Sequence, residues 1–320
     1  MKKPLIALAV LASVSGAQAQ VTLYGVADVW VGRTASYDTA GVKTDDTMMS
    51  SGGLSGSRLG VSGEKALGNG LKGIFKLEQG FKLDTGETSE SSAFTRQAYV
   101  GVAGGFGQVT LGKTWTAMDD VLGAANSGFD SALSASNNVL MVPSTYQSNP
   151  GNTVKYTSPA FGPVSFSASH SMHESNGDQP NVTDFSVSFS QGALATNVAY
   201  QEQRETGMEV VKLTALNAAY DLGVVKLLAS VGQHKAAYSK STDLQFGVDV
   251  PVNKALTVSA GYAQSSDNAA AGDGKRTGYG IAAGYSLAET TTVYGGLRQA
   301  QIKDSSVKDN VVAVGIKHAF

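Results

Sequence analysis

No cysteine occurs anywhere in the 320 residues. Disulfides, thiolate metal sites and a cysteine nucleophile are therefore excluded, and the fold must be held by other means. Histidine is scarce too, with only His170, His173, His234 and His318. No Ser/His/Asp set can be assembled from their spacing. His173 with Glu174 and Asp178 matches no familiar metal-ligand spacing either. Neither catalysis nor a cofactor nor a resident metal is expected. Charged residues make up 16% of the chain and nearly balance at −2, which gives none of the basic field that nucleic acid would require. Helical periodicity is also missing: no segment shows a convincing amphipathic helix. Beyond residue 14 no apolar run approaches the roughly 20 residues of a membrane-spanning helix.

Present instead are a start that reads as an export signal and a glycine-rich remainder. Lys2 and Lys3 precede an apolar run from Leu5 to Val14, and Ala17-Gln18-Ala19 is a small-x-small cleavage site. Cleavage is expected between Ala19 and Gln20, giving a signal peptide over 1–19 and one domain over 20–320. Loss of the two lysines takes the formal charge from −2 to −4.

From residue 20 onward the period is two. In the final stretch, Val312, Val314, Ile316, His318 and Phe320 form one face, and Val311, Ala313, Gly315, Lys317 and Ala319 the other. Phe185, Val187 and Phe189 alternate with serines, as do Val164, Phe166 and Ala168. Such segments run over about 21–33, 55–64, 70–83, 94–104, 106–114, 152–160, 163–173, 182–192, 194–204, 209–221, 223–235, 241–251, 255–266, 276–287, 290–303 and 309–320. Short connections alternate with long ones, the long ones including 34–54, 84–93 and 115–151. An even number of alternating segments with connections of alternating length predicts an all-β, 16-stranded antiparallel transmembrane barrel. Tyr99, Tyr156, Phe161, Tyr200, Tyr262, Tyr279, Tyr285 and Phe320 are expected on its outer face near the membrane interfaces. The last strand should close the cylinder. Phe320 is the expected terminal signal for the barrel-insertion machinery.

The interruption from Trp115 to Gly151 is too long for an ordinary connection. It carries Asp119, Asp120 and Asp130 and no base. Nearby polar faces carry Arg58, Lys72, Lys76, Arg96 and Lys155, together with Glu64 and Glu78. If the loop folds inward, opposed charges set a transverse field across the lumen, which filters small polar solutes. By parity, Arg58 falls on the polar face with Gly60 and Ser62, and Arg96 falls with Ala98 opposite Tyr99. A substrate-specific channel and a surface adhesin or structural barrel remain the alternatives at this point.

A set of ordered words makes the likeness specific. They are Val21-Thr-Leu-Tyr-Gly-Val26, Ser57-Arg-Leu-Gly60, Gly70-Leu-Lys-Gly-Ile-Phe-Lys-Leu-Glu-Gln-Gly-Phe81, Arg96-Gln-Ala-Tyr-Val-Gly101, Phe106-Gly-Gln-Val-Thr-Leu-Gly112, Asn152-Thr-Val-Lys-Tyr-Thr-Ser-Pro159 and Gly315-Ile-Lys-His-Ala-Phe320. In these the chain resembles the general diffusion porins of β-proteobacteria such as Bordetella, Burkholderia and Neisseria. The resemblance implies a passive outer-membrane channel for ions and small hydrophilic solutes, assembled as a homotrimer among lipid and lipopolysaccharide. It also implies a third loop folded into the pore, with Arg58 and Arg96 lining the eyelet, Glu78 near them, and Asp119 or Asp120 facing them. Two departures stand out. Lys113 occupies a place where relatives tend to have arginine, and Tyr146-Gln-Ser-Asn-Pro150 carries no base. Fewer guanidiniums weaken any anion preference.

Overall fold

The computed structural model describes residues 20–90, 92–126, 128–173, 180–205, 207–267 and 274–320. The expected signal peptide with Ala19, and Glu174 and Asp178, lie outside them. Among the described residues the chain forms seventeen strands in one antiparallel sheet. In order they are β1 (Gln20–Tyr37), β2 (Lys43–Ser51), β3 (Arg58–Gly68), β4 (Leu71–Gly80), β5 (Gln97–Gly104), β6 (Gly107–Lys113), β7 (Thr153–Thr157), β8 (Val164–Ser171) and β9 (Asn181–Gln191). There follow β10 (Leu194–Arg204), β11 (Val211–Asp221), β12 (Lys226–Lys235), β13 (Lys240–Pro251), β14 (Leu256–Asp267), β15 (Arg276–Ala288), β16 (Thr291–Ile302) and β17 (Lys308–Ala319).

Strands β2 and β3 lie end to end along β1, from Tyr37↔Lys43 to Val29↔Ser51 and from Val26↔Arg58 to Gln20↔Glu64. They are two halves of one wall strand broken at 52–57, so the cylinder has sixteen staves. This corrects the reading of 34–54 as a loop. Most of it is a hairpin that prolongs β1 to Tyr37 and adds β2. The segment Lys43-Thr-Asp-Asp-Thr-Met-Met49 was opaque because Asp45 and Asp46 are adjacent and all seven residues are exposed, so burial imposes no alternation.

Closure comes from β17 pairing with β1, Val26↔Ala319 through Tyr37↔Lys308. Phe320 continues it: the Gly25 N–H donates to the Phe320 carbonyl at 2.9 Å and the Phe320 N–H to the Gly25 carbonyl at 3.1 Å. A side chain at Gly25 would overlap the Phe320 ring. Glycine there lets the terminal aromatic lie flat over the seam.

Burial is inverted relative to a soluble sheet. On β9, Asp184 and Ser186 are 1% and 3% exposed, while Phe185 and Val187 are 48% and 42% exposed. Along β17, Val312, Val314 and Ile316 point out and Val311 and Ala313 in. Apolar side chains outside and polar ones inside are what lipid around a water-filled cylinder demands. Outer aromatics gather in pairs: Tyr156 and Phe161 flank Phe166 with ring centres 5.7 and 6.2 Å apart, and Phe185 meets Tyr200 at 5.6 Å. Tyr99 is the exception to the expected girdle. It is cross-strand partner to Lys76 and Gly112, between outward-facing Val100 and its neighbours, and so faces the lumen.

The long connection between β6 and β7 folds into the cylinder. It carries two short helices, α1 (Asp119–Leu122) and α2 (Met141–Thr145). Met118, Leu133, Val139 and Val142 on it are fully buried. They form small cores against the inner wall, Met118 and Val142 with Ala199, Leu213 and Ala215, and Leu133 with Trp30, Ala282 and Tyr294. Polar side chains of the wall bind the loop backbone. Asp184 accepts from Met118 N–H at 3.2 Å, Asn217 donates to Val121 O at 2.7 Å, Asp243 accepts from Val142 N–H at 2.7 Å, and Gln245 donates to Ala125 O at 2.6 Å. On β15, Gly278 and Gly280 face the loop directly. A Cβ on either would collide with the carbonyls of Ala135 and Leu133. Buried backbone groups must find partners, and here the wall supplies them.

Candidate pore constriction

Facing the inward loop, β3, β4 and the start of β5 bring three cations to one carboxylate. Glu78 sits on the inner face of β4 and is 2% exposed. Its Oε1 accepts from Arg96 Nε at 2.6 Å. Its Oε2 accepts from the Tyr24 hydroxyl at 2.7 Å and lies 3.7 Å from Lys76 Nζ and 3.9 Å from Arg58 Nε. Burying a carboxylate is costly unless charge and hydrogen bonds compensate, and Glu78 has both. The cluster carries three positive charges and one negative.

Arg58 obeys the parity argument: Leu59 beside it is exposed on the outer wall, while Gly60 is buried within. A side chain at Gly60 would overlap the Tyr24 ring, so this glycine makes room for the tyrosine that reaches Glu78. Arg96 does not obey it. Inner positions of β5 are odd-numbered, and Ala98, taken as its companion, pairs with Leu77 on the outer face. Arg96 enters the lumen because it precedes the strand, just after Phe94 takes a left-handed φ of 53°. The alternation has not begun there. Its guanidinium lies over the Trp115 ring, 4.9 Å from the centre, a cation–π contact that holds the plane of the side chain. With its amide oriented to suit both donors, the Gln97 oxygen accepts from Trp115 Nε1 at 2.9 Å and Lys76 Nζ at 3.1 Å.

Two other expected wall cations serve the loop instead. Lys155, 6% exposed on β7, pairs with Asp120 at 2.7 Å and donates to Trp115 O at 2.9 Å. Lys113 is paired with Ala98 on the outward register, and its Nζ donates to Asn149 O at 2.8 Å. Asn149 in turn donates to the carbonyls of Thr95 and Arg96. The stretch without a base thus ties the returning loop to the root of Arg96.

On the acidic side, Asp120 is matched by Lys155 and Asp130 accepts from Asn126. Asp119 accepts from the Tyr146 hydroxyl at 2.7 Å. Burial pushes Asp119 up to about 6, with the charge of Asp120 adding to it, while the Tyr146 hydrogen bond, Lys155 and Arg96 oppose. A carboxyl raised in this way is charged above that pH and neutral below it. Acidifying from about pH 8 to about pH 5 should therefore remove one negative charge from the loop and move the reversal potential toward anions. Asp119→Asn should abolish that step, which salt-gradient measurements across the pH range read directly.

The sequence pointed to Arg58, Lys76, Arg96 and Glu78, and these are brought together. It passed over Tyr24, Gln97, Trp115 and Tyr146, the neutral groups that fix the charged ones. Trp115 opens the long interruption and Tyr24 sits inside the first ordered word. Those were the available signals.

The arrangement is a cluster of charge that faces the inward loop inside a cylinder whose inner face is polar. The family model described as Gram-negative porin matches residues 5–305. Outer membrane porin protein 32 of Delftia acidovorans is 28% identical over 365 aligned positions that span 100% of both chains. An outer membrane porin protein of Bordetella pertussis is 28% identical over 291 positions, 77% of this chain and 71% of that one. Among solved structures, an anion-selective porin from Comamonas acidovorans superposes with a TM-score of 0.80 at 24% identity, covering 95% of this chain and 100% of that one. Salmonella typhi OmpF gives 0.72 at 18% identity, with 94% and 97% covered. With its closed inside-out barrel and inward loop, this chain belongs to the Gram-negative porin family and is an outer-membrane general diffusion channel, not an enzyme.

Proposed function

We propose that Arg58, Lys76 and Arg96 around Glu78 form the basic wall of the selectivity constriction, with Asp119 and Asp130 on the loop as its acidic side. The observation that carries this reading is the convergence of three cations on a single carboxylate beneath the loop root. The excess of positive charge there favours anions, in the sense of the Comamonas acidovorans neighbour described as anion-selective. Fixed charge on low-dielectric walls focuses field into the opening. Because Lys155 is matched by Asp120, and Lys113 is turned to Asn149, the preference is modest.

The functional unit in this proposal is a homotrimer of mature chains beginning at Gln20, embedded among lipid and lipopolysaccharide. A trimeric form of OmpT from Vibrio cholerae shares the fold at a TM-score of 0.69. Phe320 is the terminal signal read by the insertion machinery. Purified protein should give ohmic steps in planar bilayers that occur in threes, with a small positive preference for chloride over potassium. Mass spectrometry should place its N-terminus at Gln20. Single steps with only monomers on cross-linking would dispose of the trimer, and a folded barrel that does not conduct ions would dispose of the constriction with it.

A further inference from the structure

The break in the second stave, residues 52–57, turns inward and touches both sides of the constriction. Gly53 O accepts from Ala132 N–H at the tip of the inward loop at 2.8 Å. Leu54 packs on the core made by Trp30, Leu133 and Tyr294. At the other end, Arg58 Nη1 donates to Ser55 Oγ at 2.9 Å and to Gly56 O at 3.0 Å. A Cβ at Gly56 would lie 3.2 Å from Arg96 Nη1. Its ends keep backbone pairing, Gly52 N–H donating to Asp28 O at 2.9 Å and Phe81 N–H to Ser57 O at 3.1 Å, but its middle is held to β1 by one side chain.

That side chain is Asp28, on the inner face of β1 and fully buried. Its Oδ1 accepts from Gly53 N–H at 3.0 Å and from the Tyr294 hydroxyl at 2.6 Å. Its Oδ2 accepts from Leu54 N–H and Ser55 N–H, both at 2.8 Å. Ser57 Oγ completes the frame, accepting from Asp28 N–H at 3.0 Å and donating to Asp28 O at 2.9 Å. Four donors on one carboxylate make charge-assisted bonds, stronger and stiffer than neutral ones. The Gly53 N–H and the Tyr294 hydroxyl would otherwise be buried orphans.

We propose that Asp28 is a positioning residue for ion selection: through residues 53–56 it sets the place of the Arg58 guanidinium and of the loop tip at Ala132 together. It touches no solute. Its effect reaches the permeating ion because both opposed walls of the opening are hung from the same short segment. Neither parity nor the ordered sequence words single it out, since an aspartate on an inner strand face reads as lumen lining.

The test is Asp28→Asn in the full chain, compared with Tyr294→Phe and Ser55→Ala. An amide offers one acceptor oxygen, so the Leu54 and Ser55 N–H groups meet an NH2 instead. The expected result is a fall of the anion-to-cation permeability ratio by about twofold, with noisier open-channel current, since a displacement of an ångström or so alters the field at the opening. Tyr294→Phe and Ser55→Ala should shift the ratio the same way by less. Heat-modifiability on gels and the yield of inserted barrel report the wall itself and should be unchanged for the two milder variants. If Asp28→Asn lowers barrel stability while ratio and noise stay at wild-type values, the assignment is overturned. Should Asp28→Asn fail to insert, unchanged ratios in both Tyr294→Phe and Ser55→Ala overturn it equally.

Discussion

With Arg58 and Arg96 both replaced by serine, the channel should lose its anion preference, pass into cation selectivity and conduct more in a single step. The cluster now holds Arg58, Lys76 and Arg96 against Glu78, two positive charges in excess. The double substitution leaves Lys76 against Glu78, with none. Two unit charges about 6 Å apart at an effective dielectric near 20 interact by roughly 3 kcal/mol before salt screening, so the change at the opening exceeds thermal energy several-fold. Two guanidiniums also vacate the lumen, which widens it. Glu78 would keep Lys76 at 3.7 Å and the Tyr24 hydroxyl at 2.7 Å, and the barrel itself should stand. Reversal potentials in a salt gradient and single-channel conductance measure both effects. A double variant with the wild-type potential would mean the field is set elsewhere, even though the channel is a porin.

Deleting Phe320 should remove most of the protein from the outer membrane while leaving its export intact. The reason lies at the seam. Phe320 makes the last two backbone bonds of the β17–β1 pairing with Gly25, and its ring covers that glycine. Each such bond is worth about 1 kcal/mol net, a loss an inserted barrel withstands. The larger effect falls on the unfolded chain, whose outward apolar face of Val312, Val314 and Ile316 would end without its aromatic. Fractionation should show the deletion chain in the periplasm and little of it heat-modifiable. Equal outer-membrane yield of deletion and parent would refute the role, and Phe320→Tyr should restore insertion, since it keeps the ring.

Strand number and closure were legible because lipid on one side and water on the other impose a period of two, whereas the inward fold of the long loop was implied only by the family resemblance. Along β9 or β17 each residue declares its face. Legibility ended where that constraint ends. The hairpin of β1 and β2 rises with nearly every β2 residue exposed, so Lys43 to Ser51 read as loop. Arg96 lies just ahead of the regular part of β5, and parity gave it the wrong companions though the right destination. The charged residues of the proposed constriction were visible because charge is rare in this chain. Those that orient them, Tyr24, Gln97 and Trp115, look in sequence like any other barrel residues. Which cation meets which carboxylate depends on contacts across many staves, and no spacing encodes it: Lys155 with Asp120 joins residues 35 apart through the loop root, and Tyr294 reaches Asp28 across 266.

The glycines at 278 and 280 bear on the bore of the channel. Layers that pack through side chains stand about 10 Å apart. Here the loop carbonyls of Leu133 and Ala135 rest on bare backbone, so the loop takes up less of the cross-section than a side-chain-padded layer would. Where the loop meets this stave, on the side away from the charged cluster, the missing side chains leave more of the cross-section to the lumen. β15 thus contributes to calibre without carrying any of the charge gathered on β3 to β5. A lineage of such channels could retune the size of molecule it admits without disturbing the sign of the ion it favours.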